Sequence, residues 1–285
     1  MGKLEEMRKK FHKKVCTTLI YTKRDDIPSM ADVASEGSKN ISRSLVKALG
    51  FPIRKGKTEG QTAGKGFEDL TRDFLEEVFD YLQHIRPGKW RFSVHEEISA
   101  FTQYKHLAEL TRILKTGVEK NARTDLKSVL GDYLVTPDIV ILRQPLSDKE
   151  VNHKTGLVSP DGVPHLTPLR KINSKNEILH ASISCKWTIR SDRAQNARTE
   201  ALNLIRNRKG NTPHITVVTA EPLPSRIASI ALGTGDIDCV YHFALHELQK
   251  SVMEVGNETE QEQLEMMVNG SRLRDIADLP FDVAI

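Results

Sequence analysis

The chain has 285 residues, of which 38% are hydrophobic and 28% charged, with a formal net charge of +4. That is enough to bury a sizeable core in one large domain or two small ones. Its three cysteines, Cys16, Cys185 and Cys239, are sparse and odd in number and form no CxxC pair, which argues against a disulfide framework and a structural zinc site. No apolar run is long enough to span a bilayer, and the charged N-terminus lacks the apolar stretch of a signal peptide, so a soluble intracellular protein is expected.

The charge is unevenly spread. Residues 1–24 carry eight Lys/Arg against two Glu, and residues 184–210 seven against two acids, whereas residues 247–285 hold nine acids against three bases. Such a pattern suits a protein that presents one face to a polyanion; solvated surface is the plainer alternative for any single run.

Residues 1–60 are mixed, basic and weakly patterned. GKTEGQTAGKG (56–66), with four glycines, reads as a loop. Phe67, Leu70, Phe74, Leu75, Val78, Phe79 and Leu82 then recur at three- and four-residue steps and predict an amphipathic helix, closed by Pro87 and Gly88. A second helical region is expected over about 100–130. YLVTPDIVIL (133–142) predicts a strand that starts at or just after Pro137, because proline cannot donate to a ladder, or lies at an edge. The four prolines and polar residues of 143–177 predict a surface insertion. ILHASISCKW (178–187) is the next strand, and 189–208 is a helix with Ala194, Ala197, Ala201 and Leu204 on one stripe. HITVVT (214–219) and IDCVYHF (237–243) predict strands, with a helical stretch near 224–232 between them. This order predicts an α/β sheet covered by helices.

Side chains alternate across a strand, so Leu179, Ala181, Ile183, Cys185 and Trp187 share an apolar face, with Ser182, Ser184 and Lys186 on the other. In the helix that follows, Glu200 lies one turn from Ala197 and Leu204, bordering the buried stripe. A carboxylate there needs a partner, such as Lys186 or a metal ion. Asp138 begins the strand after Pro137. If the two strands are neighbours, Asp138 and Lys186 approach at one end of the sheet. Two carboxylates and a lysine suit metal-assisted phosphodiester hydrolysis, because carboxylates hold Mg²⁺ as hard oxygen ligands and the lysine orients water or stabilises charge. The structural alternative is that Asp138 caps a turn, Lys186 is solvated and Glu200 is an ordinary helix-surface acid. The ten histidines form no ligand set; His242 and His246 are four apart, and Met266 and Met267 read as core or interface residues.

The run ILHASISCKWTIRSDRAQNAR (178–198), with RNRKG and VVTAEPLPSRI downstream, resembles the NgoMIV-like type II restriction endonucleases, tetrameric enzymes of CCGG-centred sites in the PD-(D/E)XK nuclease superfamily. The likeness covers most of the chain and is densest over 178–247. It implies one restriction endonuclease domain over 1–285, with a catalytic and recognition core over about 61–247, and a central mixed β-sheet flanked by helices. The family's Pro-Asp, Ser-x-Lys and later glutamate match Pro137-Asp138, Ser184-Cys185-Lys186 and Glu200, with residues 187–199 between. The resemblance also adds Glu68, in GFEDL, from the early helix. It makes Asp138 the shared ligand of two Mg²⁺ ions, the Cys185 carbonyl another, with Glu68 and Glu200 completing an acidic site.

RSDR (190–193) opens the helix that carries Glu200. Arginine pairs with guanine O6 and N7, and aspartate accepts from cytosine N4, so two arginines and an aspartate suit adjacent G·C pairs. The resemblance assigns Arg190, Asp192 and Arg193 to the CCGG core. The alternative is that Ser191 or Asp192 caps the helix and the arginines hold phosphates. By the same resemblance Gln61 faces the minor groove, and Asp32 and Arg226 read an outer base pair, giving GCCGGC, cut to leave 5′ overhangs. Lys209, Arg206 and Arg208 read as phosphate or surface contacts. The family implies double-stranded DNA as partner, a homotetramer built as a dimer of dimers, a bacterial cytoplasmic location, and a cognate methyltransferase that protects host DNA without having to bind. Two other functions compete: a nuclease of repair or recombination, which the RSDR reader argues against, and a DNA-binding protein without catalysis, which the intact Asp138, Lys186 and Glu200 argue against.

Overall fold

A computed structural model of the chain describes residues 1–54, 56, 60–109, 112, 135–233 and 235–285, without the side chains of 24, 60, 61 and 191–194. Most of the helical region expected over 100–130 lies outside these residues; its described part begins with 3₁₀ turns at Ile98–Ala100 and Thr102–Leu107. The chain divides into two compact units. One comprises Met1–Arg86, Ile183–Arg198 and Ile215–Ile285, the other Pro87–Ser182 and Thr199–His214. No described helix is long and apolar enough to cross a membrane.

The first unit opens with helix α1 (Lys3–Thr18), which buries Met7, Phe11, His12, Val15 and Cys16. Helix α2 (Glu36–Leu49) follows. The Ser35 hydroxyl accepts the Ser38 N–H at its start, and Gly50 ends it at φ 69°, the left-handed conformation that favours glycine. Residues 1–60 read as weakly patterned, and both helices correct that reading: α1 carries its apolar stripe among many lysines, and α2 buries Ile41, Leu45 and Leu49 at four-residue steps beside Ser38, Ser42 and Ser44.

Helix α3 (Gly60–Tyr81) corrects an expectation. The glycine-rich stretch is not all loop; from Gly60 onward it is the first turns of this helix. Gly66 allows close packing there: a Cβ on it would stand 2.7 Å from Leu19 Cδ2, and Leu19 is itself buried. Gly66→Ile is therefore expected to destabilise the protein by about 1–3 kcal/mol through overpacking, read as a lower denaturation midpoint. Unchanged stability would place Leu19 elsewhere. Further along, Phe67, Phe74, Leu75, Val78, Phe79 and Leu82 are buried as their spacing predicts.

In this unit the last four residues of β3 (Ile178–Lys186) lead the strand order β3-β4-β5-β6, with β4 at His214–Thr219, β5 at Cys239–His242 and β6 at Leu273–Asp275. β4 pairs parallel to β5, and β5 parallel to β6. Strands buried on both faces read as continuous apolar runs, and HITVVT behaves so, with Ile215, Thr216, Val217, Val218 and Thr219 all buried. β6, three residues long and two of them charged, gives no such signal.

In the second unit β1 (Trp90–Val94) pairs antiparallel with β2 (Ile139–Arg143), placing Val94 opposite Ile139, and the first five residues of β3 follow β2 in strand order. β2 starts two residues after Pro137, as expected. β1 escapes sequence detection because only Phe92 is buried among its five residues. The 143–177 segment carries a short helix, α4 (Asp148–Val151), and is organised around Arg170. That guanidinium is buried, bonded to both Asp148 oxygens at 2.9 and 2.7 Å and to the Ser159 and Pro164 carbonyls. Mixed parallel and antiparallel pairing with helices agrees with the α/β class read from the sequence.

Candidate active site and DNA-reading surface

Helix α5 (Ser191–Asn207) follows β3, helix α6 (Pro224–Ala231) follows β4, and helix α7 (Leu245–Val255) follows β5. Each therefore opens near the C-terminal end of a strand. In open α/β sheets that is where ligand-binding residues collect, because loops there can vary while the sheet holds them.

The face assignment of β3 holds. Leu179, Ala181, Ile183, Cys185 and Trp187 are buried, and Ser184 and Lys186 are half-buried on the other face. Lys186 is the last residue of the strand, and its carbonyl is anchored twice, by the Thr219 hydroxyl at 2.8 Å and the Ala220 N–H at 3.3 Å. Its backbone is thus fixed at the end of the strand. Glu68 sits half-buried on α3, with one carboxylate oxygen out of contact with solvent.

In the second unit Asp138 is half-buried immediately before β2, behind a buried Pro137. Its carbonyl accepts the His95 N–H at 3.3 Å, which ties the start of β2 to the chain after β1. Glu200 is half-buried on α5 beside buried Ala197, Ala201 and Leu204, so its place at the border of the stripe is as expected. The candidate catalytic residues are therefore divided: Glu68, Ser184, Cys185 and Lys186 belong to one unit, Asp138 and Glu200 to the other. Among the described residues no group of three or more His, Cys, Asp or Glu is gathered as a metal cluster. The chemistry of the donors fits a hard cation, since three carboxylates and a main-chain carbonyl are all oxygen ligands of the kind Mg²⁺ takes.

The two residues assigned to an outer base pair do come together. Asp32 and Arg226, 194 residues apart, form an ion pair in the first unit, each side chain 29% exposed. Asp32 Oδ1 also accepts the Ala34 N–H at 3.0 Å, and the Asp32 N–H donates to the buried Ser38 hydroxyl at 3.0 Å. The Ala34 N–H and the Arg226 guanidinium together hold the Asp32 carboxyl below its usual range. Arg190 is exposed just before α5, and its charge acts on both Asp32 and Lys23. Asp192 and Arg193 fall in the first turn of α5, and Gln61 in the first turn of α3; their side chains lie outside the described residues.

Two further residues of the first unit were given no role by the sequence. Lys23 donates to the Ala31 carbonyl at 3.0 Å, and burial together with Arg190 holds its ammonium below the usual lysine range against the pull of Asp32. Glu221 is fully buried two residues after β4, and burial pushes its carboxyl up to about 7. An acid two residues after an apolar strand was the available signal for Glu221; Lys23 had none, being one lysine of a basic segment. His242 and His246 fall on different elements: His242 is in β5, wholly buried and pushed by burial down to about 4, and His246 is in α7. Met267 is core, and Met266 is exposed.

Comparison with known proteins gives a consistent answer. The family described as NgoMIV restriction enzyme matches residues 11–285. The type II restriction enzyme NgoMIV of Neisseria gonorrhoeae is 46% identical over 285 residues, covering 98% of this chain and 97% of that protein. Among solved structures, the type IIF restriction endonuclease Bse634I with cognate DNA is similar at a TM-score of 0.36 and 14% identity, over 90% of this chain and 93% of that one. A second Bse634I structure gives a TM-score of 0.30 and 15% identity, over 76% and 86% of the two chains.

Proposed function

This chain belongs to the NgoMIV restriction enzyme family and is a type II restriction endonuclease, and from that premise we propose that it cuts duplex DNA at GCCGGC with Mg²⁺, leaving 5′ overhangs. The Asp32–Arg226 ion pair is the observation that carries the site: two residues distant in sequence, of the types that suit an outer G·C pair, stand together on the surface that also bears Arg190. Arg190, Asp192 and Arg193 read the inner CCGG, with Gln61 toward the minor groove.

Asp138, Glu68, Glu200 and the Cys185 carbonyl would hold the metal, two ions per site. When bound, Mg²⁺ lowers the pKa of a water and offsets charge on the phosphorus. Lys186 orients the attacking water and places its positive charge against the phosphoryl oxygens, with Ser184 beside it on the same face of β3. A palindrome calls for a two-fold protein, and the proposed assembly is a homotetramer built as a dimer of dimers. The proposed setting is the bacterial cytoplasm, where a cognate methyltransferase protects host DNA.

The test is a digest of plasmid DNA carrying GCCGGC, in Mg²⁺ and in Ca²⁺, with sequencing of the ends. Unique ends at GCCGGC in Mg²⁺ alone are expected. Ends at another CCGG-containing sequence would remove the roles of Asp32 and Arg226, and no cutting by a folded, DNA-binding protein would remove the catalytic assignment. Within that assay Asp32→Ala is expected to lower discrimination at the outer pair by about 1–3 kcal/mol, roughly 5–150-fold. An Asp32→Ala enzyme that still prefers GCCGGC would show that the outer pair is read elsewhere.

A further inference from the structure

The turn after β4 holds a carboxylate that the proposed chemistry leaves unused. Glu221 is 0% exposed. Its Oε2 accepts the Ile189 N–H at 2.8 Å, and its Oε1 accepts the Leu223 N–H at 3.2 Å. Ile189 directly precedes Arg190. Leu223 is the residue before α6, whose first turn carries Arg226. Arg226 Nη1 stands 4.0 Å from Glu221 Oε2 while Nη2 bonds Asp32. The Glu221 N–H donates to the Thr219 hydroxyl at 3.1 Å, and that hydroxyl donates to the Lys186 carbonyl. One buried side chain therefore touches the backbone leading into each DNA-reading element, and its own backbone is tied to the end of the lysine-bearing strand.

Such a carboxylate is costly to bury, and an apolar residue would fill the same space more cheaply. What it supplies is geometry. Each oxygen accepts from one main-chain N–H, so a single rigid group sets the spacing between the segment that presents Arg190 and the helix that presents Arg226. We propose that Glu221 is the positioning residue that registers these two readers against each other and so sets discrimination at the outer base pair. This rests on the assignment of Arg190 and Arg226 to base reading.

The experiment compares kcat/KM for GCCGGC with that for a duplex whose outer pair is exchanged, in wild type, Glu221→Gln, Arg226→Ala and the double variant. In Glu221→Gln an amide NH₂ replaces one acceptor and opposes a main-chain N–H. The specificity ratio cancels any loss of folded enzyme, so a merely structural role does not move it. We expect Glu221→Gln to lower the ratio about tenfold, and the double variant to be no less discriminating than Arg226→Ala, as for groups acting as a unit. A folded Glu221→Gln with the wild-type ratio overturns the proposal, as do effects of the two substitutions that multiply. Arg226→Ala with an unchanged ratio removes the base-reading assignment, and the proposal with it, on a line separate from Glu221→Gln. Should Glu221→Gln not fold, amide exchange in the wild type decides: slow exchange at Ile189 and Leu223 supports the proposal, and fast exchange at either one overturns it.

Discussion

Lys186→Ala is expected to slow DNA cleavage by roughly 10²–10³-fold or more while leaving affinity for the cognate duplex in Ca²⁺ within a few-fold of wild type. The expectation follows from where the side chain begins. Lys186 closes β3, its carbonyl is held by Thr219 and Ala220, and its neighbours Cys185 and Trp187 point into the core. A backbone pinned in this way presents the ammonium with little reorganisation, and preorganised charge is what stabilises a transition state. In the proposed role the residue acts on developing charge, so its loss is expected to fall on kcat more than on binding. Lys186→Arg is not expected to rescue, because a planar fork does not replace a compact point charge. Measuring single-turnover rates in Mg²⁺ beside affinities in Ca²⁺ separates the two quantities. An alanine variant that cuts at the wild-type rate would take Lys186 out of the mechanism, and one that no longer binds would make it a DNA contact.

The largest effect expected on stability comes from Arg8→Ala, at about 3–5 kcal/mol. Arg8 reaches from α1 to the far end of the chain. Its guanidinium makes paired bonds to Glu247 at 2.9 and 2.7 Å and to Asp275 at 2.8 and 2.7 Å. Asp275 is only 2% exposed, so truncation strands a buried carboxylate beside a second one. Both acids show the pairing. Burial pushes their carboxyls up, yet the bonds and charge of Arg8 more than offset it, leaving Asp275 below its usual range and Glu247 lowered to about 2. Folded values depressed in this way contribute stability that is present above the unfolded carboxylate range and is lost as pH falls through the folded values. The wild type should therefore lose stability on acidification from about pH 4.5 toward about 2, and Arg8→Ala should show a shallower loss there. Denaturant midpoints at neutral pH and across that window test both statements. A variant within about 0.5 kcal/mol of wild type would mean that the network is solvated and contributes little.

What the sequence determined by itself was the periodic elements and the faces on which they carry the candidate residues. α3 beyond Phe67, the apolar face of β3, all of β4, and the start of β2 after Pro137 follow from local pattern, because burial of one face imposes a period that the chain has to obey. The same rule put Ser184 and Lys186 on one face and Glu200 at the border of a buried stripe. Resemblance to a family, and not spacing, singled out Asp32, Gln61, Glu68, Arg190, Asp192, Arg193 and Arg226.

Tertiary structure decided the rest. α1 and α2 are also held by distant partners, Arg8 by Glu247 and Asp275, and Ser44 by Glu254, and the polar residues around them masked the apolar stripe that α2 carries at Ile41, Leu45 and Leu49. Gly66 reads as part of a loop until Leu19 is seen packed where its Cβ would go. β1 and β6 are too short and too exposed or charged to announce themselves. The meeting of Asp32 with Arg226, and the seat of Glu221 between Ile189 and Leu223, depend on contacts across 194, 32 and 2 residues of chain. Local pattern carries no record of such partners, because a buried polar group is specified by the donor that satisfies it, and that donor is chosen only when the chain folds.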